Sequence, residues 1–317
     1  MIFNRIKLNY NTKLLDDGFQ SKDYGEVKKI LQANKSSPIY QNLVSYSIEK
    51  YLSQQSHFKF YESKFIWLNS YDQRDMSYIS SFLNFYFQSN QEASYSFGDY
   101  QDQISNTLKE MKNIEIPKFI DFDHVVANSF LYQLLLLLSS NNKYIFSNIR
   151  GAFFESPQKK FLIYPQTTLC YFHVYRNPYD LYSRYKKDFE NSQEALNEIA
   201  NSNEVSQNKN LKYQISENRQ NWNIFTKSWT NNNVENTYRG KLIQYEKLEA
   251  APKDTLVEII YHLKQAGMSL DVDFDLIEKF SENNKPEKII REELSNNEVK
   301  QINSNLESDF LSDLGYS

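Results

Sequence analysis

Arg176 closes a nearly unbroken apolar run, Leu169-Cys170-Tyr171-Phe172-His173-Val174-Tyr175, and Asn177-Pro178 and Tyr179-Asp180-Leu181-Tyr182-Ser183-Arg184-Tyr185 follow it. The run predicts a strand covered on both faces, Asn-Pro predicts a turn, and Pro178 suits the first turn of a helix. The guanidinium then stands at the carboxyl end of a parallel strand, where open α/β sheets take up ligands. Ser183 and Arg184, two turns into the helix, return to roughly the same side. An arginine fork beside a hydroxyl or a second guanidinium suits a dianionic phosphate. A salt bridge from Arg176 to Asp180 across the turn accounts for the same residues, and spacing leaves both alternatives open.

A second strand-to-helix connection is Gln244-Tyr245-Glu246-Lys247-Leu248-Glu249-Ala250-Ala251-Pro252, where the Glu is placed to cap backbone amides. Upstream, Trp222, Phe225 and Trp229 recur at i, i+3 and i+7 and make one helix face aromatic, a pattern that core packing explains more simply than a ligand cage. Of the four histidines, His173 alternates within the strand and reads as a core or sheet-face residue, and His262 reads as exposed or structural on the helix after Pro252. His57 is a further possible base. His124, after Asp121-Phe122-Asp123 at a helix start, is the candidate general base. The aspartates beside it are accounted for by a helix N-terminus without a metal cluster. Cys170 is the single cysteine, which excludes an intramolecular disulfide and a Cys-rich zinc site.

These residues need elements to carry them. Residues 1–60 show two helical patches, Tyr24–Ala33 and Tyr40–Tyr51, separated by Pro38, and form an N-terminal helical extension on an α/β domain of residues 61–317. Lys64–Asn69 is a bulky apolar run consistent with a buried strand, followed by a polar loop Ser70–Ser77 and a helix over Tyr78–Phe87. Lys143–Ser147, Leu169–Tyr175 and Gly240–Tyr245 are further strands. Pro252–Ala266 is a helix whose stripe is Leu256, Ile259, Ile260 and Leu263, with Gly267 as its cap. Strands alternating with helices predict a three-layer α/β fold around a mostly parallel sheet. Residues 190–221, rich in Asn, Ser, Gln, Glu and Lys, fit either a solvated helix pair or a mobile lid over a cleft, and composition favours the solvated pair.

Composition narrows the function. The 317 residues carry 36 basic and 40 acidic side chains, net charge -4, so no broad nucleic-acid footprint is expected. The most apolar run, Phe130–Leu138, is far short of the ~20 residues of a membrane span, and the opening residues, without a long apolar stretch, do not support a secretory signal. A cytoplasmic location is the expectation. Seven glycines, about 2 % against a usual share of about 7 %, lie too far apart for a G-x-G-x-x-G fingerprint or a Walker A loop.

Taken in order and spacing, these segments resemble the sulfotransferase family, which transfers a sulfuryl group from 3′-phosphoadenosine-5′-phosphosulfate (PAPS). The strand-Arg176-Asn177-Pro178-helix segment looks like the family's 3′-phosphate element. Tyr245-Glu246-x-Leu248 with Pro252 resembles its Tyr-Glu-Asp-Leu segment. Trp222 and Trp229 sit where the family often has Trp-x-x-His-x-x-x-Trp, with Phe225 in place of the histidine, and Leu314-Gly315-Tyr316 is similar to a common family ending. The resemblance covers roughly residues 64–317, is strongest from 165 to 252, and implies a P-loop-like fold.

The chain also departs from the family. The loop that wraps the 5′-phosphosulfate, Pro-Lys-Ser-Gly-Thr-Thr, is replaced by Tyr71-Asp72-Gln73-Arg74-Asp75-Met76-Ser77, which lacks the glycine and the lysine and adds two aspartates that repel a phosphosulfate. Tyr164-Pro165-Gln166-Thr167-Thr168 echoes that loop but precedes a strand and opens no helix. Phe146–Gly151 carries neither the lysine nor the histidine found before the family's arginine strand, and Arg150 is the charge left to face a sulfuryl group. The family's serine, eight positions after the arginine, is here Arg184, with Ser183 one residue early. No glycine-rich PAPS-contacting loop occurs in residues 280–300.

The resemblance therefore implies two alternatives. In one, sulfuryl transfer from PAPS to a hydroxyl or amine acceptor, Arg176 with Ser183 or Arg184 holds the 3′-phosphate of PAPS or its product PAP, Arg74 and Ser77 face the 5′ side, His124 and Arg150 act at the reacting group, and no metal takes part. In the other, catalysis is lost and the fold serves as a binding or scaffold module. The acceptor, whether small molecule, glycan or protein, and the oligomeric state, a homo-oligomer included, are left open. Donor binding needs the Arg176 guanidinium accessible at its strand tip; a buried ion pair would remove it.

Overall fold

The computed structural model describes residues 2–54, 63–89, 95–110, 119, 125–149, 163–189, 194–196, 199, 222–289 and 294–316. In chain order the elements are α1 (Ile2–Gln20), α2 (Tyr24–Ala33), α3 (Tyr40–Ser53), β1 (Lys64–Ser70), α4 (Gln73–Ser89), β2 (Tyr95–Asp99), α5 (Tyr100–Glu110), α6 (Val125–Ser139), β3 (Tyr144–Ile149), β4 (Thr168–Tyr175) and α7 (Pro178–Phe189). They continue with α8 (Trp222–Trp229), α9 (Asn232–Tyr238), β5 (Gly240–Gln244), α10 (Tyr245–Ala250), α11 (Pro252–Ala266), α12 (Phe274–Asn283), α13 (Asn296–Asn305) and α14 (Ser308–Asp313). Described residues within Met1–Lys64, Asp99–Ile145 and Phe154–Thr167 form one compact unit, and those within Phe65–Gly98, Phe146–Phe153 and Thr168–Ser317 form the other.

The first unit is helical. Asp23 caps α2 by accepting from the Glu26 amide, and Val27, Ile30 and Leu31 bury its apolar stripe. On α3, Leu43, Val44, Ile48 and Leu52 do the same. Phe119 lies among Phe19, Tyr24 and Tyr51, stacked on Tyr24 at 5.8 Å and edge-on to the other two. The N-terminal helices read from the sequence as an extension thus share a core with residues of the 99–145 stretch.

The second unit is α/β, with helices flanking an all-parallel five-stranded sheet in the order β2-β3-β1-β4-β5. The register pairs Asn69 with His173 and Tyr171 with Gly240. Every residue of β4 but Tyr175 is buried, as its unbroken apolar sequence requires of a strand covered on both faces. Pro252 opens α11, and Gly267, at φ 111°, ends it in a left-handed conformation that only glycine adopts without strain.

The structure differs from the sequence expectation in α1 (Ile2–Gln20), a third helix before Tyr24, and in two features of the α/β unit. The helix after β1 begins at Gln73, four residues before the end of the expected Ser70–Ser77 loop, because Asp72 caps it. Tyr95–Asp99 forms an edge strand, β2, from only two aromatic residues; Phe97 stacks on Phe146 at 4.3 Å, and that contact supplies what Ser96, Gly98 and Asp99 lack. Residues 200–221 lie outside the described residues. Among the described residues no helix is long and apolar enough to cross a membrane.

Because β1 lies between β3 and β4, the chain leaves β1 toward one edge of the sheet and later crosses to β4 on its other side. The carboxyl ends of β1 and β4 therefore flank the topological switch point, where a parallel sheet opens a crevice.

Candidate functional site

Two turns leave the sheet at that switch point. After β1, the Ser70 hydroxyl donates to the Asp72 carbonyl at 2.7 Å, and Asp72 Oδ1 accepts the Arg74 amide at 3.0 Å, which caps α4. A helix N-terminus facing a crevice favours an anion through its free amides and dipole. Here the anions are the protein's own carboxylates, Asp72 at the cap and Asp75 in the first turn. After β4, Asn177 Oδ1 accepts the Tyr179 amide at 2.9 Å, and Glu246 Oε1 accepts the Asn177 amide at 2.8 Å. Glu246 thus caps backbone as its place in the sequence implied, although the amide belongs to the arginine turn and not to its own helix.

The guanidiniums converge on those carboxylates. Arg176 Nη2 lies 2.8 Å from Asp75 Oδ1, with both side chains only 2 % exposed. Its Cζ sits 3.7 Å from the centre of the Tyr245 ring, a cation–π contact. Arg184 Nη1 donates to Asp75 Oδ1 at 2.9 Å and to Asp72 Oδ2 at 3.2 Å, and its Nη2 lies 3.1 Å from Glu287 Oε2. Arg74 grips Asp72 through Nε and Nη2, the latter at 2.6 Å, and donates from Nη1 to Asp188 at 2.7 Å. Burial pushes the Asp75 carboxyl up to about 7, against the downward pull of Arg176 and Arg184. Burial disfavours the charge on Arg184, but Asp75 and Asp72 outweigh it and raise its pKa.

Arg176, Arg184 and Arg74, expected at one cleft, are indeed brought together, but each is bound to carboxylate. The partner of Arg176 is Asp75, not the Asp180 that lies across its own turn. Ser183 donates to the Tyr179 carbonyl and Ser77 to the Arg74 carbonyl, so both hydroxyls are bonded along their own helices. His124 and Arg150 lie outside the described residues. Sequence reasoning overlooked three members of the site, the stacking face of Tyr245 and the carboxylates of Asp188 and Glu287. The aromatic placed where β5 ends was a usable signal for Tyr245. Nothing local marked Glu287, more than one hundred positions from its arginine.

Two further groups frame the cluster. Tyr316, next to last in the chain, donates to Glu246 Oε2 at 2.9 Å, so the Arg176 turn, the Tyr245-Glu246 segment and the Leu314-Gly315-Tyr316 ending meet at one carboxylate. His173 is fully buried, with Nδ1 2.8 Å from Asn69 Oδ1; that oxygen can only accept, since the Asn69 amide donates to the Ile149 carbonyl. His173 is therefore the neutral Nδ1–H tautomer, and burial drives its pKa down to about 3. Phe225 and Trp229 pack against it, which makes the aromatic helix face a core feature.

A PAP or PAPS phosphate does not fit the described residues as they stand, because the guanidiniums that would hold it are neutralised from within and the helix N-terminus is capped by carboxylate. The chain matches no protein-family model and no curated protein.

Proposed function

We propose that this chain is a sulfotransferase-like protein of the P-loop-like three-layer kind whose donor site has become an internal salt-bridge core, and that it acts as a binding module without sulfuryl transfer. The strand order and the meeting of the three motif-bearing segments at Glu246 support the first half of this reading. The observation that carries the second is the Asp75 carboxylate, held by both Arg176 and Arg184 at the N-terminus of α4.

A phosphate entering that position would have to separate two buried guanidiniums from two carboxylates, leaving the carboxylates unpaired. Breaking a single buried pair costs about 3–5 kcal/mol, which is of the order of a micromolar ligand's whole binding energy when more than one pair is lost. A glycine that would let backbone amides approach the phosphate is missing, so the loop offers little in compensation. Transfer also requires donor and acceptor held in line, with cations aimed at the moving sulfuryl oxygens, and Arg74 is committed to Asp72 and Asp188.

Titration calorimetry with 3′-phosphoadenosine-5′-phosphate at millimolar concentration tests this. No heat and no thermal shift are expected. Saturable binding, or sulfuryl transfer from PAPS to a sugar, alcohol or tyrosine-peptide acceptor, would overturn the proposal.

A further inference from the structure

Residues 284–289 form neither helix nor strand, and they cross the charge cluster between α12 and the segment leading to α13. Asn284 and Lys285 bond back to Phe280 and Ser281 at the end of α12, and the Tyr78 hydroxyl donates to the Asn284 carbonyl at 3.5 Å; three further contacts hold Glu287 and Ile289. The Tyr245 hydroxyl donates to the Glu287 carbonyl at 2.8 Å, the Ile289 amide donates to Glu249 Oε1 at 3.1 Å, and the Glu287 carboxylate lies against Arg184. Pro286, buried and fixed in φ, sets the direction in which Glu287 leaves the backbone. Glu287 is the odd member of the cluster, because its side chain is 51 % exposed while that of Arg184 is 8 % exposed.

The donors behind this strap are incompletely used. Arg184 Nη2 meets Glu287 at ion-pair distance without hydrogen-bond alignment, and Arg176 Nη2 meets Asp75 in the same off-axis way. Arg176 Nε, also buried, has no acceptor. An off-axis contact keeps the Coulomb attraction and forgoes the directional part, so a better-shaped acceptor can displace it. Among the described residues the ion pairs join three guanidiniums, of Arg74, Arg176 and Arg184, to four carboxylates, of Asp72, Asp75, Asp188 and Glu287. A small oxyanion taking the place of Glu287 leaves three guanidiniums facing three carboxylates and the bound anion, as Glu287 did.

We propose that residues 284–289 are an anion-sensitive latch, in which Glu287 is a built-in competitor at Arg184 and a diffusible oxyanion that captures Arg184 Nη2 releases the strap. The latch rests on the reading that carboxylates occupy the former donor position, but it concerns only the outermost of them. Asp72 and Asp75 stay in place when it opens, so nucleotide remains excluded while a small oxyanion is admitted at the rim.

Hydrogen–deuterium exchange of the peptide covering 284–289 tests the latch in the full chain. In wild type, sodium sulfate is expected to speed exchange several-fold over sodium chloride at equal ionic strength. Glu287→Gln, which keeps the shape and removes the charge, is expected to show fast exchange without sulfate and no further response to it. Glu278→Gln, on α12 and paired with Lys253 away from the cluster, should leave exchange unchanged. Equal exchange in sulfate and chloride, or a slow strap in Glu287→Gln, overturns the latch. Heat from the nucleotide on wild type would instead count against the closed donor site, so the two failures are distinguishable.

Discussion

Asp75 Oδ1 stands 2.8 Å from Arg176 Nη2 and accepts from Arg184 Nη1 at 2.9 Å, so a single buried carboxylate oxygen serves two buried guanidiniums. A protein-borne carboxylate thereby fills the place that a switch-point crevice ordinarily offers to a ligand. It also ties the first turn of α4 to the tip of β4, which makes the cluster a structural joint within the second unit.

The Asp75 carboxyl, raised from 3.8 to about 7, gives that joint a pH signature. A raised pKa stabilises the fold fully below the unfolded value and loses that contribution as pH rises through about 7. Wild type is therefore expected to lose stability from this group between about pH 5 and about pH 8, and Asp75→Asn, which mimics the protonated form, is expected to remove about 2–4 kcal/mol of that fall. Urea unfolding of both proteins at the two pH values checks it. His173 acts with the opposite sign, since its depressed pKa withdraws stability only as pH falls from about 6.5 toward about 3, and it cancels in the difference between the two proteins.

Replacing one partner of the ion pair should hurt more than replacing both. Arg176→Met strands a buried carboxylate and abolishes the stacking on Tyr245, with an expected cost of about 3–5 kcal/mol. Arg176→Met combined with Asp75→Leu removes both charges, and its cost is expected to fall at least 1 kcal/mol or so below the sum of the single changes. Denaturant titrations of the four proteins close the cycle, and simple additivity would show that the pair is not coupled.

The C-terminal tether is the next test. Tyr316→Phe removes the hydrogen bond to Glu246 with little change of shape, and a bond to a charged acceptor is worth about 1.5–3 kcal/mol. Because Glu246 also holds the Asn177 amide, exchange at that amide is expected to accelerate along with the loss of stability. Destabilisation with Asn177 unchanged would confine the role of Tyr316 to its own end of the chain.

Gly240 tests the sheet register. A Cβ there would come within 2.3 Å of the Tyr171 ring, whose hydroxyl is fixed on the Trp229 carbonyl at 2.6 Å. Gly240→Ala is expected to cost about 1–3 kcal/mol by overpacking, and the added cost should vanish in a Tyr171→Leu background, as thermal unfolding would show.

Long periodic or uniformly apolar segments were legible from sequence: β1, β4, β5 and the helix from Pro252 to Gly267 stand where their residues place them. The edge strand Tyr95–Asp99 was not, because its stability comes from Phe146, a residue some fifty positions away. Arg176 and Arg184 were legible as a pair, since one sits at a strand tip and the other two turns along the following helix. Their partners were not, although the aspartates had been singled out. Asp72 and Asp75 were read as repelling an outside phosphate, whereas within the fold they pair with Arg74, Arg176 and Arg184.

By itself the sequence determined the alternation of strands and helices, the arginine at a strand end and the absence of a glycine-built phosphate loop, because each depends on residues within about a dozen positions of one another. Only the tertiary structure decided what Arg176 and Arg184 hold. The contact between Arg184 and Asp75 spans 109 positions and exists because β1 and β4 lie side by side in parallel register, which brings the ends of both strands to one point. Charge pairing falls off with distance in space and is indifferent to distance along the chain, so the closure of this site could be read only from the assembled sheet.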